Sequence, residues 1–305
     1  MSLFLDQDMA YLFGLIAGRG ILRDSRGLKQ IIISFPYRSL RATGVNTVFN
    51  QRDKILISLD AIVNRIGELA GQSPQKIAAQ RNIDIVIDLP RNNLLWRNIQ
   101  ALANSKNSFK DMEIHPKIFE ASEVIKKEFI RGIADVTAYA RKGNVFRDGR
   151  HRIYFEIHNA NWKMPVQLCT LLQSIPLKIP VQTIDWGHPN IRNGNAKEYD
   201  AGKKTAWARE HQLKVFAEAF EPIGFRIEHK NVILKEMAEY NKVNYSNAKN
   251  NLCTPPKRIR SKVDHPQENS DRLPSELKDK HFDSYWQVCK ELGCVRYNTK
   301  EEVSD

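Results

Sequence analysis

Tyr11-Leu12-Phe13-Gly14-Leu15-Ile16-Ala17-Gly18-Arg19-Gly20 is an apolar stretch with small residues set into it. It has a relative far downstream, Glu128-Phe129-Ile130-Arg131-Gly132-Ile133-Ala134-Asp135-Val136-Thr137-Ala138. The two align on Gly14 and Gly132, 118 residues apart. After the glycine the first continues Leu-Ile-Ala and the second Ile-Ala. Each reads as an apolar helix with small residues on one face. Small residues let two helix backbones approach closely. The two helices are therefore expected to pack on each other and to join two similar halves.

Two such helices, each followed by strand-like and helical segments, resemble a two-motif, monomeric LAGLIDADG protein, of the family of homing endonucleases and their relatives. The resemblance implies a DNA-binding scaffold. In the family each motif helix ends in an acidic residue, and the two acids hold divalent metal at the DNA. Here those positions are Arg19 and Thr137. The resemblance thus extends to the scaffold more than to the nuclease chemistry.

Composition agrees with a polyanion partner. The 305 residues suffice for one large domain or two ordinary ones. The net charge is +12. Residues 251–305 hold ten basic and ten acidic side chains, so the excess lies in residues 1–250, with 37 against 25. A basic body suits nucleic acid. No apolar run approaches the roughly 20 residues of a membrane span. The N-terminus reads as no signal peptide. Four cysteines in a chain of this length point to a reducing compartment, hence a cytoplasmic location. Cys169 falls in an apolar helical pattern and is expected to be buried.

Along the chain, residues 8–18 read as a helix and Arg19 to Gly27 as a basic turn. Residues 30–35 read as a strand stopped by Pro36. Residues 55–59 suggest a second strand, leading into a helix closed by Gly71. Residues 83–89 alternate as a strand with Asp84 and Asp88 on one face. Asn92 or Asn93 is expected to cap a helix, and residues 105–118 to form a loop. A long helix over 119–140, strands at 152–158 and 181–186, and a helix from about Pro165 follow. Residues 209–221 fit strand or helix equally. The order helix, strand, helix, strand, helix occurs twice. The expected fold is α+β: two pseudo-symmetric halves (1–115 and 116–242), each a curved antiparallel sheet under helices, plus a C-terminal extension (243–305).

In the family the sheet surface lies in the DNA major groove, where Arg, Lys, Asn and Gln read base edges. Candidate DNA contacts are Arg19, Lys29, Gln30, Arg38, Arg41, Arg52, Arg150, Arg152, Gln182, and the loop residues His188 and Arg192. Cutting would require Mg²⁺ held by carboxylates. The nearest to the motif positions are Asp24 and Asp135. In the tail, Cys253, Cys289, Cys294, His265 and His281 suggest a structural zinc site. A dense basic run at Lys257, Arg258, Arg260 and Lys262 adds a phosphate-contacting stretch. The function expected is sequence-specific binding of double-stranded DNA, as the recognition part of a restriction or related DNA-processing system with a separate nuclease or NTPase subunit. The alternatives are an active Mg²⁺-dependent endonuclease using shifted carboxylates, and an RNA-binding, maturase-like factor.

Overall fold

The computed structural model describes residues 3–25, 28–143, 149–161, 163–185 and 210–245. The first unit runs α1 (Gln7–Arg19), β1 (Gly20–Ser25), β2 (Leu28–Pro36), α2 (Tyr37–Leu40), β3 (Ala42–Thr43), β4 (Val48–Phe49), α3 (Arg52–Ser58), α4 (Asp60–Ala70), β5 (Gln75–Ala78), β6 (Asn82–Leu89) and α5 (Leu94–Leu102). The second runs α6 (Pro116–Glu120), α7 (Glu123–Thr137), β7 (Ala138–Arg141), β8 (Arg152–Ile157), α8 (Lys163–Gln173), β9 (Val181–Asp185), β10 (His211–Phe216), α9 (Ala217–Phe220) and α10 (Glu228–Tyr245). The class is α+β.

Each unit holds a four-stranded antiparallel sheet. The orders are β1-β2-β6-β5 and β7-β8-β10-β9. Numbered within its own unit, each sheet reads first, second, fourth, third. Each motif helix also runs directly into the first strand of its sheet, through caps of the same extended geometry: Gly20 at φ −96°, ψ 149° and Ala138 at φ −101°, ψ 153°.

The pair α1 and α7 is the centre of the molecule. Every residue of α1 from Met9 to Arg19 is buried, as expected of a helix covered on all sides. A Cβ added at Gly14 would lie 2.2 Å from the Phe129 carbonyl oxygen, and one at Gly132 would lie 2.2 Å from the Tyr11 carbonyl oxygen. Only glycine fits at either place, because the obstacle is backbone and cannot rotate away. Phe13 and Phe129 pack beside the crossing at 5.6 Å. One continuous core spreads from there into both sheets, through Ile31, Ile33, Phe35, Ile85 and Ile87 on one side and Ile153, Phe155, Leu213 and Val215 on the other.

Local chemistry explains most boundaries. Asp6 caps α1 by accepting from the Met9 N–H at 2.8 Å, and Asn93 caps α5 by accepting from Trp96 N–H at 3.1 Å. Gly71 ends α4 in the left-handed region, φ 62°, where glycine carries no steric penalty. Cys169 is buried in α8.

Several segments differ from the sequence expectation. Residues 55–59 are not a strand, since 52–58 form α3. Ile55 and Leu59 both point into the core, a four-residue spacing that suits a helix face. The basic stretch after Arg19 is strand β1, paired with β2 from Gly20↔Ile33 to Ser25↔Leu28. Pro116 opens the short helix α6 as its first residue, where its missing N–H costs nothing. The long helix starts at Glu123 and ends at Thr137, and residues 138–141 become strand β7. The ambiguous segment resolves into β10 followed by α9.

Replacing Gly132 by Ala forces α1 and α7 apart. Overpacking a tight core costs about 1–3 kcal/mol, and the backbone obstacle puts Gly132→Ala at or above the top of that range. Urea unfolding of Gly132→Ala and Gly14→Ala checks this; midpoints equal to wild type would mean the helices do not meet at these glycines.

Candidate nucleic-acid interface

The C-terminal ends of α1 and α7 carry Arg19 and Thr137. Arg19 is 7% exposed. Its Nη2 donates to the Glu156 carbonyl oxygen at 3.1 Å and to Glu210 Oε1 at 2.6 Å. Burial pushes its guanidinium down to about 10, and Glu156 partly offsets that. It remains charged at neutral pH. Arg38, from α2, pairs with Glu210 and lies 3.0 Å from Glu156 Oε2. Glu156 Oε1 also accepts from Gln212 at 3.1 Å and Tyr139 at 3.3 Å. Thr137 is 1% exposed, and its hydroxyl turns back to the Ile133 carbonyl at 2.7 Å.

This set does not fit a shared divalent ion. Such an ion needs several hard, anionic oxygens. Here a guanidinium and a back-bonded hydroxyl stand at the two helix ends, and two arginines neutralise the two nearby carboxylates. Among the described residues, no three His, Cys, Asp or Glu side chains form a group able to hold a metal.

The two carboxylates singled out by sequence are placed apart. Asp24 is exposed, four residues beyond Gly20 on β1, about 13 Å along the strand. It pairs with Lys29 at 2.8 Å. Asp135 is fully buried. It accepts from Tyr11 Oη at 2.7 Å and from the backbone N–H groups of Arg226 and Ile227 at 3.2 and 3.4 Å. Burial raises its pKa, against Lys230 and these hydrogen bonds, which lower it. Lys230, pushed down to about 7 by burial, donates to the Ala134 and Asp135 carbonyls at 3.0 and 2.9 Å. Asp135 thus ties the start of α10 to α7.

The basic candidates divide by what they touch. Lys29 lies on the core side of β2, with its ammonium 4.9 Å from the centre of the Trp96 ring. Arg52 donates to Tyr37 Oη at 2.9 Å and Ala79 O at 2.8 Å. Arg41 is exposed after α2. Arg150 pairs with Glu218 and covers the Phe216 ring at 3.7 Å. Gln30 stands on the outer face of the first sheet. Arg152 stands on the outer face of the second and donates to Gln182. His188, Arg192, the basic run 257–262 and the five candidate zinc ligands lie outside the described residues.

In an antiparallel sheet, residues directly opposite share a face. The outer face of the second sheet carries three rows: Arg141, Arg152 and Phe216; Tyr139, Tyr154 and Lys214; and Glu156 with Gln212. Arg152, Phe216 and Glu156 are buried within it. Arg141 and Lys214 lie 5.1 and 5.3 Å from the Tyr154 ring centre. Tyr139 stacks on Tyr154 at 5.7 Å. Arg152 lies 4.9 Å from the Phe216 ring. The outer face of the first sheet is different. Its rows are Arg23, Gln30 and Asp88; Ile21, Ile32, Val86 and Gln75; and Ser34, Asp84 and Ile77. The second sheet's face thus combines Arg141, Lys214 and aromatic rings with Glu156, whereas the first carries Arg23 and Gln30 beside Asp84 and Asp88. Sequence reasoning missed Arg141, Tyr139 and Lys214, which show as alternating positions only once strands β7 and β10 are recognised, and it did not single out Tyr154 on the strand it did read.

No protein-family profile and no curated protein sequence matches the chain. Solved structures to which it is similar include LAGLIDADG proteins. The I-AabMI meganuclease bound to uncleaved DNA shares 11% identity at TM-score 0.42, over 78% of this chain and 92% of that one. I-DmoI in complex with DNA and Mn shares 14% at TM-score 0.35, over 75% and 96%. The N-terminal LAGLIDADG domain of DUF199/WhiA shares 13% at TM-score 0.33, over 76% and 82%. These are similarities of chain path at low identity. Among the described residues, no helix is long and apolar enough to cross a membrane.

Two buried histidines contribute to the acid limb of stability. Burial lowers His211 to about 3 and His229 to about 4. Below pH 6.5 the unfolded chain binds a proton at each histidine that the folded chain refuses. The two contributions to stability are therefore present above pH 6.5 and fall as pH drops toward 4. Unfolding free energy is expected to fall between pH 6.5 and 5 by roughly 1–2 kcal/mol per histidine. Denaturant titrations of wild type and His211→Asn check this; equal slopes would exclude His211.

Proposed function

We propose that the chain binds double-stranded DNA sequence-specifically and does not cut it at the ends of its motif helices. The observation that carries this reading is the outer face of the second sheet, where the Arg141 guanidinium and the Lys214 ammonium both lie against the Tyr154 ring. A flat face of cations and aromatic rings suits phosphates and bases together. The chain's excess of positive charge, all within residues 1–250, supports a polyanion partner. The LAGLIDADG resemblance of the two glycine-bearing helices supports DNA over other polyanions.

The helix ends support recognition without cleavage. The family's acids are replaced, and the carboxylates that do lie nearby, Glu156 and Glu210, are held by Arg19 and Arg38. A chain that recognises DNA without cutting it suits the recognition component of a restriction or related DNA-processing system, with a separate nuclease or NTPase subunit supplying the chemistry.

Each phosphate contact contributes a slope of about −0.9 to the dependence of log K on log salt. Arg141→Ala and Lys214→Ala are each expected to make that slope shallower by about 0.9 and to weaken duplex binding at every sequence. Fluorescence anisotropy against salt concentration, with structured RNA as competitor, checks both points. Unchanged slopes, or displacement of the duplex by equimolar RNA, would contradict the assignment.

A further inference from the structure

An apolar groove runs between α3 and the start of α10 and takes no residue from either four-stranded sheet. Its volume is about 410 Å³, within the size range of clefts that hold a ligand. Phe49 of β4, Ile57 of α3, and Val232 and Ile233 of α10 give it apolar walls. His229 lines it too, stacked on Phe49 at 3.9 Å and held by its Nε2 at 2.6 Å from the Leu40 carbonyl oxygen. Ile233 and His229 are buried, whereas Ile57 is 66% and Val232 50% exposed. The two exposed side chains come from different helices, so an occupant of the groove would cover both.

The chain itself carries a surface that fits. At about 100° per residue, Phe282, Tyr285, Trp286, Val288, Cys289 and Leu292 fall on one side of a helical wheel. Asp283, Ser284, Gln287, Lys290 and Glu291 fall on the other, and no polar residue interrupts the apolar side. A helix this short is marginal by itself in water, and three aromatic rings gain stability only against further apolar surface. The segment lies outside the described residues. Its connection to the groove is α10, which forms one wall and ends at Tyr245, about 20 Å beyond Val232 at 1.5 Å per residue. Thirty-six residues separate Tyr245 from Phe282. At up to about 3.3 Å per residue, they can span that return several times over. A tethered segment also meets its site at an effective concentration up to the millimolar range, above that of a second copy in dilute solution.

We propose that the 282–292 segment docks as a helix with its apolar side in the groove between α3 and α10. This is the helix-in-groove mode of recognition, made within one chain. Cys289 is then a packed thiol. Because the groove shares no residue with either four-stranded sheet, the proposal stands apart from the nucleic-acid reading.

The test uses the full chain with a photo-crosslinking residue, Ile57→p-benzoylphenylalanine, at an exposed position that leaves the core intact. Equal amounts of ¹⁴N- and ¹⁵N-labelled chains are mixed before irradiation. Cross-links are expected from position 57 to residues 282–292 of the same chain, in a yield that does not change on tenfold dilution. A second arm follows trypsin cleavage after Lys280 and Lys290. Val232→Asp and Trp286→Ala are each expected to speed it by about tenfold, the loss of one buried apolar contact, with cleavage inside residues 1–245 unchanged. Cross-links that join a light chain to a heavy one would make a second copy the occupant and overturn the proposal. So would the absence of any cross-link to 282–292, or wild-type cleavage rates in Val232→Asp.

Discussion

The close approach of α1 and α7 is the constraint on which the rest of the structure depends. At Gly14 and Gly132 each helix takes the other's backbone where a side chain would stand. That contact brings Arg19 and Thr137, one turn or so further on, to neighbouring places. It also fixes where β1 and β7 begin, because each strand starts at the residue after its helix ends. Sheet placement and helix-end chemistry both follow from two glycines.

The helix ends then decide what the molecule can do. A guanidinium that is almost fully buried needs partners, because the cost of removing a charge from water is large. Glu210 and the Glu156 carbonyl provide them, and Arg38 closes the group from the outside. Once formed, the cluster sets the positive charges of Arg19 and Arg38 against both carboxylates, which disfavours a divalent ion. Removing one member would strand the others as buried charge. The cluster thereby ties α1 and α2 to β8 and to Glu210.

Much of this was legible in the sequence. Gly14 and Gly132 announced the helix pair, the run before Pro36 marked β2, alternation marked β6, and residues 152–158 read as the strand that became β8. Parity along β2 also held the fate of Lys29. It shares a face with Ile31, Ile33 and Phe35, so counting by twos places it on the core side rather than on an outward face. Other features were hidden for physical reasons. Residues 55–59 are apolar and β-branched enough to look like a strand, and only their core contacts make them a helix. Arg141 was concealed because the expected helix ran to Ala140, while α7 stops at Thr137. Arg52 and Arg150 look like free surface cations until Tyr37 and Glu218 arrive from elsewhere in the chain. The carboxylates Asp84 and Asp88 were placed on one face by pattern alone, and register and burial put both on the outer face of the first sheet.

The claim that tests the whole account is that recognition has been kept and helix-end cleavage has not. The most direct measurement is incubation of the purified chain with genomic and plasmid DNA, with and without Mg²⁺ or Mn²⁺, reading retention on a filter and fragments on a gel from the same sample. The account expects sequence-selective retention with no metal-dependent fragments. Discrete fragments that require the metal would contradict it, and their survival in Asp24→Asn would assign the cutting to carboxylates near Arg19.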